Sequence, residues 1–319
     1  MSFLTISLIV FAVGIIVLYF GAEGLVRGSS LLAKNLGIRP IIIGLTVVAF
    51  GTSSPEFVVS FVASLHKSQD IALGNIIGSN IANIGLILGV SALIHPLKVH
   101  LYTLKKEFPV MILASVVIYL MAFDFKIGFW DGTLLTLGII LFILYQVLVS
   151  LRDRSEHKSL EKEYTSILRN GSTYFKNIAL VAIGITGLIV GSQMMVKSVI
   201  TIARELGVSE LVIGMTLMAF GTSLPELATS VISAIRKEAD ICVGNVIGSN
   251  LFNILFVVGI ITMFNPLTVT KSTLKLEFPI MLAFTFLLFP ILKTKLILNR
   301  FEGAVLVAGY VLFVSILIF

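Results

Sequence analysis

The chain is 319 residues long, 57% hydrophobic and only 13% charged, with a formal net charge of +6 and a mean hydropathy of +1.06. A soluble domain lies nearer half apolar and a quarter charged, so this composition excludes an ordinary water-soluble fold and points to a bilayer. The basic excess lies between apolar runs, with no basic stripe, which excludes a nucleic-acid surface; the single cysteine, Cys242, excludes an intrachain disulfide or a cysteine metal cluster and reads as a small packing residue.

Apolar runs of about 17 to 25 residues each suit one helical crossing. Ten follow in order: 3–26, 38–65, 71–93, 107–123, 128–150, 176–198, 208–235, 241–264, 277–293 and 299–318. The first has no basic n-region and no clear cleavage site, so it reads as a retained span rather than a signal peptide. Glu23, near its end, reads as interfacial.

The second crossing contains GLTVVAFGTSSPE, Gly44 to Glu56. Pro55 has no N–H and collides with the carbonyl of Gly51, so the helix kinks or unwinds there. The freed carbonyls need partners, because hydrocarbon supplies no water. A proline kink with its hydroxyls bonded to backbone explains the proline, Thr52 and the glycine. It does not explain Glu56, since a carboxylate at mid-bilayer costs roughly 3 kcal/mol even on the lenient insertion scale. Carboxylate, the hydroxyls of Thr52 and Ser53, and backbone carbonyls form a hard-oxygen set that suits Ca²⁺ or Na⁺, not zinc or copper.

The third crossing carries DIALGNIIGSNIANI, Asp70 to Ile84. Ser79 and Asn83 are four apart and share a helix face, as an ion lining would require. Gly74, Gly78 and Ala82 form a small-xxx-small ladder suited to close helix packing. Asn75 and Asn80 read as bonds to neighbouring helices. Asp70 and Glu107 stand at the starts of the third and fourth crossings, where acidic residues are ordinary N-terminal caps. The longest polar stretch, 151–175, follows the fifth crossing and reads as a linker.

Beyond it the pattern returns at an offset of 170 residues. GMTLMAFGTSLPE, Gly214 to Glu226, matches the first block at nine of thirteen positions; DICVGNVIGSNLFNI, Asp240 to Ile254, matches the second at ten of fifteen. Thr222, Ser223 and Glu226 thus repeat Thr52, Ser53 and Glu56, and Ser249 and Asn253 repeat Ser79 and Asn83. The expected organisation is an all-α integral membrane protein of ten helices: a five-helix repeat over 1–150 with its motif at 44–84, the linker 151–175, and a second repeat over 176–319 with its motif at 214–254. An odd number of crossings per repeat inverts the second copy about a two-fold axis in the membrane plane. With the N-terminus outside, the inner segments hold 17 Lys or Arg and the outer ones 6. The positive-inside rule then puts the linker in the cytoplasm and both termini outside the cell membrane.

GTSSPE with GNIIGSNIAN, and GTSLPE with GNVIGSNLFN, resemble the alpha-1 and alpha-2 repeats of the sodium/calcium exchanger family, within the cation/calcium antiporter superfamily. Ten crossings and a mid-chain linker extend the similarity over nearly the whole chain. The short linker is like that of prokaryotic members and leaves no room for the calcium-regulatory domains of animal exchangers. The resemblance implies a core of crossings 2–5 and 7–10, with long crossings 1 and 6 lying against it and moving during alternating access. It implies Glu56 and Glu226 as central Ca²⁺ ligands, assisted by the Thr52 and Thr222 carbonyls. Sodium sites would add the carbonyls of Ala49 and Ala219, groups of Thr52, Ser53, Thr222 and Ser223, and Ser79 and Ser249, with Asn83 and Asn253 completing the middle. Some prokaryotic exchangers and the potassium-dependent branch have aspartate at the position of Asn253, so K⁺ co-transport is not expected.

The implied activity is Na⁺/Ca²⁺ antiport by alternating access. A Ca²⁺/H⁺ antiporter is the alternative, since a buried carboxyl can also carry a proton. A passive channel and an intramembrane enzyme are further readings. The enzyme lacks a buried His or Lys base, and one central site suits stepwise exchange better than flow. No cofactor, nucleic acid or obligatory protein partner is expected beyond the lipid bilayer and the two ions.

Overall fold

A computed structural model describes residues 3–160, 171–205 and 221–318. These residues are almost wholly helical. In order they form α1 (Phe3–Leu36), α2 (Pro40–Thr52), α3 (Ser54–Leu65), α4 (Gln69–Ile94), α5 (Leu101–Asp124), α6 (Phe129–Leu160), α7 (Gly171–Glu205), α8 (Leu224–Ile235), α9 (Ala239–Phe264), α10 (Thr273–Lys293) and α11 (Arg300–Ile318). Among the described residues eight helices are long and apolar enough to cross a membrane, and the bent pair α2–α3 makes a ninth. α8 is apolar but only 12 residues long. The start of the predicted seventh crossing, 208–220, lies outside the described residues, as does 161–170 of the predicted linker.

The predicted boundaries shift for physical reasons. α1 runs ten residues past its apolar stretch, to Leu36, because Arg27 and Lys34 carry its exposed face while Leu25, Val26, Leu32 and Ala33 stay buried. α6 and α7 likewise run into the polar linker from both sides. The predicted second crossing is bent by 43° between Thr52 and Ser54. Pro55 supplies the cause: it occupies the first turn of α3, where its missing N–H costs nothing.

α4 and α9 are the centre of the molecule. Their most apolar windows are 78% and 83% buried in protein, against 17–39% for the other spans. The remaining helices turn large apolar side chains outward, such as Phe20, Ile183 and Leu141, as a lipid-facing surface requires. α1 lies along α7 with backbones in contact. A Cβ at Gly21 would stand 2.7 Å from the Leu188 nitrogen, and one at Gly184 would stand 2.5 Å from the Leu25 nitrogen. In hydrocarbon, where apolar burial gives no drive, such small-residue seams are what bring helices together.

Two glycines of α9 pack closely on α2. Cβ atoms at Gly244 and Gly248 would fall 2.8 Å from the Ile41 and Leu45 carbonyl oxygens of α2. Gly74 and Gly78 of α4 differ, having nothing within 4 Å among the described residues. The repeat counterpart of the α2 segment that packs on Gly244 and Gly248 is 211–219, outside the described residues.

Four two-residue strands clasp the connections. β1 (Leu97–Lys98) pairs antiparallel with β4 (Ile297–Leu298), and β2 (Lys126–Ile127) with β3 (Leu267–Thr268). Each clasp takes one strand from each half of the chain. Glu23 is not merely interfacial: its carboxylate is ion-paired with Arg236 at the end of α8, and Ser30 Oγ donates to Glu238 Oε1 at 2.8 Å, so α1 is tied to the α8–α9 turn. Glu107 also departs from a simple cap. It is fully buried, 3.9 Å from the Arg39 guanidinium, which itself stacks 4.1 Å over the Tyr102 ring. Asp240, in the first turn of α9, stands 3.4 Å from the His100 imidazole.

Candidate functional site

The two breaks put a glutamate in the first turn of α3 and of α8, where the partial positive charge of a helix N-terminus faces the carboxylate. The backbone repeats in detail: Ser53 has φ −80° and ψ 1°, Ser223 φ −85° and ψ 5°. Around the first break Ser53 N–H donates to the Ala49 carbonyl at 2.9 Å and Phe57 N–H to the Ser53 carbonyl at 3.1 Å. Pro55, having no N–H, cannot donate to the Gly51 carbonyl across the break.

Glu56 and Glu226 are 0% and 1% exposed. Their partners are exchanged between the halves. Ser53 Oγ donates to Glu226 Oε1 at 3.1 Å, and Ser223 Oγ to Glu56 Oε1 at 3.1 Å. Each serine thus bonds the carboxylate of the opposite repeat. The second oxygen of each, Oε2, has no hydrogen-bond partner among the described residues. A buried carboxylate oxygen without a donor is costly, and two facing carboxylates repel across a dry site. The arrangement asks for positive charge.

The α4 and α9 residues close the site from the other side. Ser223 Oγ lies 3.1 Å from Ser79 Oγ, and Thr52 Oγ1 lies 3.4 Å from Ser249 Oγ. Asn83 donates from Nδ2 to Asn250 Oδ1 at 2.9 Å, and its own Oδ1 has no partner among the described residues. Asn253 is fully buried with neither amide atom partnered among the described residues. Both asparagines stand in wide, π-type turns, Asn83–Leu88 and Phe252–Val258, a local widening frequent at functional sites. A small cavity of about 100 Å³ opens beside Ser53, lined by Phe50, Ser54, Phe57, Phe252, Phe256 and Val257.

Of the predicted residues, Glu56, Ser223 and Ser79 form one connected cluster, Glu226 and Ser53 a second, and Thr52 and Ser249 a third. Asn83 bonds Asn250 rather than Asn253. Ala49 is buried, its carbonyl taking the Ser53 N–H and lying 3.3 Å from Thr52 Oγ1. Ala219 lies outside the described residues. Thr52 does not turn to Glu56, because the break falls between them; its hydroxyl reaches Asn245 Oδ1 at 3.0 Å.

That contact belongs to a relay of which the sequence indicates only one member, Asn75, as a bond to a neighbouring helix. Asn245 Nδ2 donates to Ser230 Oγ at 3.1 Å, while Thr222 Oγ1 donates to Asn75 Oδ1 at 3.1 Å and Asn75 Nδ2 to Ser60 Oγ at 2.9 Å. Ser60 and Ser230 sit four residues after the glutamates, on the same helices. Identity in both copies was the available signal, since each asparagine and each serine recurs at the 170-residue offset. Among the described residues, hydroxyls, carboxylates and amides line the centre. Among the described residues no group of three or more His, Cys, Asp or Glu converges on a metal position, so a cation between the two carboxylates would draw its remaining ligands from neutral oxygens.

Comparison with known proteins agrees. The family model described as sodium/calcium exchanger protein matches residues 6–150 and 176–319. The putative antiporter CaxA of Alkalimonas amylolytica is 38% identical over 94% of this chain and 94% of its own, and the sodium/calcium exchanger MaX1 of Methanosarcina acetivorans is 32% identical over 99% of each. The solved sodium-calcium exchanger NCX_Mj superposes with a TM-score of 0.85 at 32% identity, covering 98% of this chain and 99% of that one. With its duplicated glutamate motifs and its all-helical core, the chain belongs to the sodium/calcium exchanger family.

Proposed function

We propose that the protein exchanges Na⁺ for Ca²⁺ across the cell membrane by alternating access, without K⁺, at a single central site. The observation that carries this reading is the crossed pair of serine–glutamate bonds around two buried carboxylates, each with an oxygen that has no partner among the described residues. One Ca²⁺ between Glu56 and Glu226 cancels both charges, with the Thr52 and Thr222 carbonyls as neutral ligands. Several Na⁺ ions do the same from neighbouring pockets built from Ser53, Ser79, Ser223, Ser249 and the Ala49 and Ala219 carbonyls, with Asn83 and Asn253 between them. The two loads compete for the same oxygens, which couples their movements. The hydroxyl and amide lining favours Na⁺ over H⁺ as the coupling ion, because a proton needs only the carboxylate. MaX1, matched over nearly its whole length, is itself named a sodium/calcium exchanger. Asn253 leaves two acids rather than three at the centre, which fits K⁺ independence.

The same reading gives ten crossings in two inverted halves. It is supported by the nine described spans, by α8 as the remainder of a tenth, and by the exchange of partners between repeats. The strand clasps add to it, because β1 and β4 join connections that the charge rule puts inside, and β2 and β3 join connections it puts outside.

Isotopic Ca²⁺ uptake into proteoliposomes tests the coupling. Vesicles loaded with Na⁺ and diluted into Na⁺-free buffer should accumulate Ca²⁺, and collapsing the Na⁺ gradient should stop the uptake. Uptake that followed a pH gradient and ignored Na⁺ would select the proton-coupled alternative.

A further inference from the structure

We propose that the polar face of α8 inward of Glu226, carried by Thr229 and Ser233, is the inner route by which cations reach the site. α1 holds that route shut in this conformation through the Glu23–Arg236 ion pair and the Ser30–Glu238 bond. The proposal rests on the ion site proposed above, from which the route starts.

Glu226, Thr229 and Ser233 follow one another at spacings of three and four, so they share one face of α8. The face runs from the site toward Arg236 and Lys237, which the charge rule puts inside. From Glu226 to Ser233 it rises about 10 Å. Thr229 and Ser233 are fully buried, and neither hydroxyl has a hydrogen-bond partner among the described residues. A helix offers such a hydroxyl the carbonyl four residues back, and Thr262 and Thr285 of this molecule take it at 2.8 Å. Thr229 and Ser233 leave it. Buried hydroxyls without partners cost free energy that apolar side chains would avoid. The other repeat has those apolar side chains: Val59 and Ala63 stand at the corresponding positions of α3. Packing alone therefore does not call for the hydroxyls, whereas a cation passing along this face does.

What closes the route is α1. Ala228 and Ile232 occupy the neighbouring face of α8 and pack in one apolar cluster with Leu25 and Val26 of α1. Ile232 is 5% exposed, whereas Val62, its counterpart in α3, is 45% exposed. α8 is thus covered where α3 is not. A latch marks the covered side. Arg236 Nε donates to Glu23 Oε2 at 2.6 Å and its Nη2 meets Oε1, while Ser30 Oγ donates to Glu238 Oε1 at 2.8 Å. The corresponding residues of the other half are Gln193 with His66 and Ile200 with Ser68, which supply no carboxylate. The Glu23 and Arg236 side chains are 21% and 42% exposed, so water can take over the pair when α1 moves off. α1 makes its backbone-to-backbone contacts with α7, so leaving α8 does not break its closest seam.

The test uses full-length protein with Cys242→Ala, in oriented vesicles free of Ca²⁺ and Na⁺, and a small cationic thiosulfonate that does not cross membranes. Ser233→Cys should react slowly, and only from the side on which Lys237→Cys reacts. Adding Glu23→Gln should speed the reaction about 2- to 5-fold, the release of one partly exposed ion pair. Glu23→Arg should speed it likewise, and Glu23→Arg combined with Arg236→Glu should return it to the slow rate. Thr229→Cys, one turn nearer the site, is the second reporter should Ser233→Cys fail to elute as a single species in detergent. Reaction from the opposite side, or none in any latch variant, would overturn the route. A rate unchanged by Glu23→Gln, or not restored by the paired reversal, would overturn the latch. Ca²⁺ binding to Glu226→Gln in detergent separates this proposal from the reading beneath it: binding retained there would remove the ion site, whereas binding lost there with an unreactive Ser233→Cys would sink the route alone.

Discussion

At the scale of single residues, the arrangement turns on carboxylates that are buried without a full set of donors. Ser53 and Ser223 satisfy one oxygen of each glutamate, and the other oxygen has no partner among the described residues. Replacing either acid with glutamine keeps the shape and removes half of the charge that a divalent ion must meet. Glu56→Gln and Glu226→Gln should each lower Ca²⁺ flux on the order of 100-fold, the usual consequence of leaving one buried charge uncompensated. Isotope uptake measures it, and unchanged flux in either variant would remove that residue from the site. These two acids were legible in the sequence because a lone carboxylate in an apolar run has few structural excuses. The asparagine relay was not legible, since an amide in a membrane helix commonly bonds a neighbour and nothing in its spacing says which one. The bond from Thr52 to Asn245 joins residues 193 apart in sequence, a contact that only the tertiary fold creates.

At the scale of elements, α1 and α7 meet along a seam of glycines, and at Gly21 and Gly184 it leaves no room for a Cβ. Gly21→Leu should cost about 1–3 kcal/mol by overpacking, lowering the thermal unfolding midpoint in detergent. Gly24→Ala is the matched control. A Cβ there would meet Leu180 at an ordinary 3.5 Å, so the change should be neutral or slightly stabilising through helix propensity. A Gly21→Leu protein as stable as wild type would mean that the helices can separate freely. The kink at Pro55 was legible from one residue's chemistry. The extension of α1 to Leu36 was not, because apolar-run counting stops at the first charges and does not see a helix that continues with its polar face outward. Glu107 resembles a cap because it stands just before Pro109, and its burial beside Arg39 is a tertiary contact that spacing does not show.

At the scale of the whole molecule, the two halves are interlocked rather than juxtaposed. The glutamates, the asparagine relays and both strand clasps draw one partner from each repeat. The charge rule assigns Lys98 to the inner face and Lys126 to the outer one. Single cysteines at these positions, in a Cys242→Ala background, should therefore react with a membrane-impermeant maleimide from opposite sides of oriented vesicles. Labelling of both from one side would reject the inverted arrangement. Fold class and duplication were written plainly in composition and in the 170-residue repeat. The interlocking was not, because a repeat in sequence is equally compatible with two self-contained bundles.

The clasps themselves have a consequence for how the chain can vary. β1 with β4, and β2 with β3, are joined through main-chain amides and carbonyls that every residue except proline supplies. Identity at the exposed positions 98, 126 and 268 can therefore drift while the tether survives, whereas Leu97, Ile127, Leu267 and Leu298 are fully buried in the core and are held by packing as well, so the ends of the most buried helices are fastened twice.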